Sequence, residues 1–155
     1  MKKTAIYSAT LVMLLVLSAC TQNKGNIGYW FGHWHLESIT INSQKDTDYS
    51  GRVFWAFQSN VIEMIETHPG PDDVPLDMER AWGTWSEKDG NLVLDFTHGD
   101  DAQPPGSPLY VPLPATHLPK GISVLKIDKI NGSELILTYT ATNGDIIRYT
   151  FSKQG

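Results

Sequence analysis

From Tyr29 to Ser152 the chain keeps returning to one unit: a short run rich in Val, Ile, Tyr, Phe, Trp and Thr that alternates with polar positions and is closed by Gly, Asn, Asp or Pro. A period of two puts the apolar residues on one face of a strand, and no helical stripe of any length competes with it. Strands are expected over 29–41, 51–58, 61–67, 79–87, 92–97, 122–130, 134–140 and 146–152. In the first, Trp30, Gly32, Trp34 and Leu36 share a face, but Ile39 and Ile41 fall on the other parity. A slip of one residue exchanges the two faces of a strand, so a bulge or bend is expected near Glu37-Ser38.

The connections alternate in length. Ser59-Asn60, Lys88-Asp89-Gly90-Asn91 and Asn131-Gly132-Ser133 read as tight hairpin turns, whereas 42–50, 68–78 and 98–121 are long, the last two rich in proline. In a meander, successive turns lie at opposite ends, so tight turns close one end and long loops crowd the other, with Thr142-Asn143-Gly144-Asp145 among them. Eight antiparallel strands hide their edges by closing into a barrel or by stacking as a sandwich. Sequential hairpins favour an all-β, eight-stranded antiparallel up-and-down barrel; a crossover through 98–121 would give the sandwich.

Lys2 and Lys3, an apolar run from Ala5 to Leu17, and the small Ala19 precede Cys20, the sole cysteine. Charge, short apolar core and small residue are the order of a secretory signal, and the run is too short to span a bilayer comfortably. An ordinary signal peptide would share these features. Leu17-Ser18-Ala19-Cys20, however, resembles the lipobox of bacterial lipoproteins, which implies cleavage before Cys20 and lipidation of its thiol. The expected organisation is a signal at 1–19, a lipidated cysteine and tether at 20–27, and one barrel at 28–155. The resemblance implies a membrane partner through the lipid anchor, at the bacterial cell envelope. Thr21-Gln22 lacks the acidic residue that often retains lipoproteins at an inner membrane, which favours the outer one. Without Lys2 and Lys3, ten Lys+Arg oppose seventeen Asp+Glu, a net charge of −7. That balance argues against nucleic acid as a partner. With Cys20 lipidated, no thiol is left for disulfides, metal or catalysis.

Gly32-His33-Trp34-His35-Leu36 resembles the Gly-x-Trp-x-Leu opening of lipocalins. The order of Gly83-Thr84-Trp85, Leu92-Val93-Leu94, Ser133 to Tyr139 and Tyr149-Thr150-Phe151 is similar to the compact lipocalin-like domains of bacterial lipoproteins. The resemblance implies a barrel that binds a small apolar or amphipathic molecule, and a basic residue of the last strand over Trp34, for which Arg148 is the candidate. The expected interior is Trp34, Leu36, Trp55, Phe57, Leu92, Leu94, Phe96, Leu125, Ile127, Leu135, Leu137, Tyr139, Tyr149 and Phe151. Such a barrel either holds one small ligand or fills with its own side chains. The candidate ligand-binding residues are Trp55, Phe57, Met64, Trp82, Tyr110 and Tyr139, with Trp30 a further wall or rim residue. The alternative is an interaction module with a solid interior, using loops 68–78 and 98–121 to contact a protein or glycan. Cavity volume separates the two.

Other chemistry finds less support. His33 and His35 share a strand face and could begin a zinc site with His68, His98 or His117, but zinc needs three or four ligands, and two surface histidines account for the pair. Asp46, Asp48, Asp72, Asp73, Asp77, Asp100 and Asp101 crowd the long-loop segments. A weak calcium site is conceivable there, although solvated loop charge explains them as well. An acidic mouth disfavours anionic ligands. No Gly-x-Ser-x-Gly, His-Glu-x-x-His or phosphate-binding glycine loop is present. No catalytic residues, no metal and no cofactor are therefore expected, and oligomeric state is not readable.

Overall fold

The computed structural model describes residues 27–70 and 77–155. The signal, Cys20, and the tether up to residue 26 lie outside the described residues, as do Asp72 and Asp73. Nine strands follow in chain order: β1 (Gly32–Ile41), β2 (Gln44–Lys45), β3 (Val53–Gln58), β4 (Val61–His68), β5 (Asp77–Lys88), β6 (Asn91–Asp95), β7 (Ile122–Ile130), β8 (Glu134–Thr140) and β9 (Ile146–Lys153). From β3 to β9 each strand pairs antiparallel with the next, and β1 pairs with both β3 and β9. The sheet closes on itself as an eight-stranded barrel, and closure removes the free edges that a sandwich would leave. The two-residue β2 is a short extension folded back on β1.

The expected parity break in the first strand is a register shift between Leu36 and Ser38. It brings Trp34, Leu36 and Ile39 all into the core. A second shift, between Ile127 and Lys129 in β7, was not expected. The first strand begins later than expected, because Gly28–Trp30 forms a 3-10 turn. The Asp89-Gly90 turn has φ of 52° and 75°, the double left-handed conformation of a type I′ hairpin. Asn42 and Ser43 repeat it, with φ of 50° and 68°, and so convert the start of the expected 42–50 loop into the β1–β2 hairpin.

The β4–β5 hairpin is longer than the alternation suggests. His68 and Asp77 pair across it, so the connection shrinks from 68–78 to 69–76. Conversely β6 stops at Asp95, and the following loop runs from Phe96 to Gly121, with 3-10 turns at Pro108–Tyr110 and Pro114–Thr116.

Of the fourteen residues expected inside, thirteen are buried, and Ile127 packs against them partly exposed beside the second bulge. Aromatic rings fill the middle of the barrel. Trp55 lies 4.9 Å from Phe151 and 5.9 Å from Tyr149, centroid to centroid, and Phe57 lies 5.0 Å from Trp30. Trp30 forms the floor. It packs 5.2 Å from Trp85, and its Nε1 donates to Glu87 at 2.8 Å. Its carbonyl accepts from Trp34 Nε1 at 3.1 Å.

Candidate functional site: the plugged mouth of the barrel

The long-loop end is where a barrel of this topology would admit a molecule, and here the chain itself occupies it. Within the 96–121 loop, Leu113, Thr116 and Leu118 are buried as part of the core. The 3-10 turn at Pro114–Thr116 makes this possible. Pro114 fixes the first position, Thr116 Oγ1 donates back to the Leu113 carbonyl at 2.7 Å, and His117 ends the turn with φ of 57°. The result is a compact plug over residues 111–118.

Two contacts latch the plug to the barrel. Tyr149, from the interior face of β9, donates its hydroxyl to the Thr116 carbonyl at 2.7 Å. Burial raises the Tyr149 phenol well above its ordinary value, and Tyr139 adds to this, so the hydroxyl remains a donor. On the outer side, His117 Nε2 lies 2.7 Å from Asp46 Oδ2, on the loop between β2 and β3. The hydrogen bond from His117 is the largest cause holding the Asp46 carboxyl below its ordinary range. That loop has its own staple: Tyr49 donates to the Leu36 carbonyl at 2.5 Å and accepts from the Val53 backbone N–H at 3.2 Å. The mouth is thus braced at the β1 bulge, where the strand bends.

The candidate residues separate into three groups. Trp55, Phe57 and Met64 are together inside the barrel, with Trp55 directly opposite Met64 across the β3–β4 pair, and Tyr139 is buried on β8. Trp82 is on the outside, 36% exposed, opposite Glu63. The parity of β5 decides this, because Ala81 and Gly83 take the interior positions opposite Met64 and Ile62. Tyr110 is neither wall nor core; it sits in the loop and donates to Asp100 at 2.5 Å. The rim role expected of Trp30 is also displaced, since that residue closes the opposite end.

The basic residue over Trp34 is Lys153, not Arg148. Its ammonium stands 4.6 Å from the ring centroid and donates to the Tyr29 carbonyl at 2.6 Å. Arg148 points outward and pairs with Asp128 at 3.0 Å, as the inward Tyr149 next to it requires. His35 stacks on Phe54 at 4.8 Å and lies 3.0 Å from Glu37 and 2.7 Å from the Gly51 carbonyl. It is an outer-wall residue held by local contacts. His98 lies 3.3 Å from Asp95, also on the outside.

Four buried side-chain polar atoms have no hydrogen-bond partner among the described residues: the indole nitrogens of Trp55 and Trp85 and the hydroxyls of Ser107 and Ser123. An unmet buried donor costs about 1–3 kcal/mol, and the Trp55 indole on β3 and the Ser123 hydroxyl on β7, opposite Leu94, are two such points among the buried residues of the barrel wall. Among the described residues, grooves lie elsewhere. One of about 440 Å³ runs beside Thr84, Ser86, Val93 and His98, and another of about 590 Å³ lies at the closed end beside Tyr29, Phe31, Gly132 and Lys153.

Comparison with known proteins agrees with this architecture. The profile of a lipocalin-like domain family matches residues 14–153. The crystal structure of a lipocalin-like protein from Bacteroides uniformis superposes with a TM-score of 0.55 at 18% identity, covering 82% of this chain and 100% of that one. A protein from Bacteroides eggerthii superposes with a TM-score of 0.51 at 15% identity, covering 81% of this chain and 99% of that one. No curated protein matches the chain. With the match spanning nearly the whole length and the barrel closed between β1 and β9, the chain belongs to the family of lipocalin-like domains.

Proposed function

We propose that this chain is a lipid-anchored protein of the bacterial cell envelope that holds one small amphipathic molecule in the upper half of its barrel, admitted when the 111–118 plug lifts. Cys20 is the lipidated residue, and the outer membrane is its expected location. The activity is binding rather than catalysis. The observation that carries the reading is the Trp55 indole N–H, a buried donor with no acceptor among the described residues, opposite Met64 and 5.9 Å from Tyr149 between ring centroids. A ligand with an apolar body and one acceptor oxygen would meet that donor while replacing Leu113 and Leu118. Trp55, Phe57, Met64 and Tyr139 would contact such a ligand; Trp82 and Tyr110 would not. Asp46, Asp48 and Asp77 leave the rim acidic, which favours a neutral or cationic molecule over an anionic one.

A second reading is supported by the packed interior itself. If the plug never lifts, the barrel is a solid scaffold, and the loops 69–76 and 96–121 present a surface to a protein or glycan. Native mass spectrometry of protein purified from its own host, with the lipid removed, distinguishes the two. A stoichiometric small molecule that is lost in Trp55→Phe supports the ligand reading. An unliganded mass in every preparation contradicts it.

A further inference from the structure

The pairing of His68 with Asp77 lengthens the β4–β5 hairpin and brings three metal-ligating side chains together. Glu66 and His68 are two apart on β4 and therefore share a face, and Glu79 is the direct cross-strand partner of Glu66. That face is the interior one, continuing from Met64 and Ala81 towards the mouth. One carboxylate oxygen of each glutamate and one imidazole nitrogen of His68 all lie within 4.8 Å of one another. His68 Nε2 is 3.9 Å from the Glu79 carboxylate.

This arrangement is costly without a cation. Like charges directly opposite each other on adjacent strands repel. Glu66 is only 9% exposed, and burying a carboxylate is unfavourable unless it is compensated. Its one hydrogen bond comes from the neutral Ser50 hydroxyl at 3.1 Å, and it makes no ion pair among the described residues. The nearest guanidinium on the hairpin, Arg80, is on the outer face and bound to Glu63. The Ser50 bond also restrains the Glu66 carboxylate, as a supporting hydrogen bond does for a metal-binding carboxylate.

We propose that Glu66, His68 and Glu79 form a binding site for a first-row divalent cation of the zinc class, with the remaining coordination position open to water. Two carboxylates and an imidazole suit zinc or manganese better than calcium, which takes oxygen ligands. Ligand atoms on a tetrahedral zinc are about 3.4 Å apart, so side-chain rotations of about 1 Å on the exposed His68 and Glu79 close the site around the fixed Glu66. The site does not depend on the small-molecule reading; an ion there would offset the paired charges whether or not the plug lifts.

The test is titration of the full chain in detergent, first with Zn²⁺ by calorimetry, then with Co²⁺ by visible absorption. The expected result is one ion per chain, with Co²⁺ bands of four- or five-coordinate intensity. His68→Ala and Glu79→Gln should each weaken binding about tenfold or more while keeping the far-ultraviolet spectrum of the parent. His98→Ala, a histidine on the outer wall, should leave affinity unchanged. No binding at about 100 µM ion, or binding that survives both His68→Ala and Glu79→Gln, overturns the assignment.

Discussion

Single residues carry the tightest constraints in this barrel. Gly83 faces the interior of β5, and a Cβ built there would stand 2.9 Å from the Asp95 carbonyl oxygen and 3.1 Å from the Phe96 ring. The backbone oxygen cannot retreat without breaking the β5–β6 pairing, so the position is limited by space rather than by backbone angle. Gly83→Ala is expected to destabilise the fold by about 1–3 kcal/mol, measured by urea unfolding. An unchanged midpoint would mean that Phe96 rotates away freely. Lys153 illustrates the limit of reading residues one at a time. The sequence resemblance asked for a cation over Trp34, and chain order pointed to Arg148. The parity of β9, set by Tyr149 and Phe151, turns Arg148 out and brings the strand-end lysine across instead.

At the scale of elements, strand existence and facing were readable because period-two alternation is a local signal. Even the bulge after Leu36 declared itself, since Ile39 and Ile41 break the parity within a single strand. What escaped was non-local. His68 and Asp77 look like loop residues beside prolines, and only their pairing with each other extends the hairpin and brings Glu66, His68 and Glu79 together. The plug escaped for a related reason. Leu113, Thr116 and Leu118 show no strand alternation, and their burial depends on a seat made by β9 and the loop before β3. The plug's outer latch should be acid-sensitive. Asp46 is held below its ordinary value of 3.8, so the latch is fully formed above that value and is lost as pH falls through the lowered one. Hydrogen exchange measured by mass spectrometry should therefore find backbone amides of 113–118 less protected below about pH 3.8 than the acid slowing of exchange alone predicts. Asp46→Asn should exchange faster at neutral pH and lose that acid step. Equal protection in both proteins would remove the latch from the account.

For the whole molecule, the two ends of the barrel differ in kind. The tight turns and Trp30 close one end, and the chain enters β1 there, next to Gly32 paired with Phe57. The other end bears the plug and the loops. If Cys20 anchors the chain as proposed, the short tether of 21–26 holds the closed end near the bilayer, since six residues reach at most about 20 Å. Cysteine-labelling of the anchored protein in vesicles is expected to modify position 101, exposed on the 96–121 loop, readily and position 131 slowly; the reverse order would contradict this orientation.

The plug's role as a competitor for the barrel mouth is the claim on which the functional account turns, and a fluorescence titration with the neutral probe N-phenyl-1-naphthylamine tests it most directly. A molecule that binds only the open state sees an apparent affinity reduced by the fraction of open protein. Removing the outer latch with His117→Ala leaves the interior aromatic residues untouched and should tighten probe binding about two- to fivefold, the range expected for a partly exposed ion pair. An affinity that is identical in the two proteins, or weaker in the variant, would mean that residues 111–118 are a permanent part of the core and that nothing is admitted beneath them.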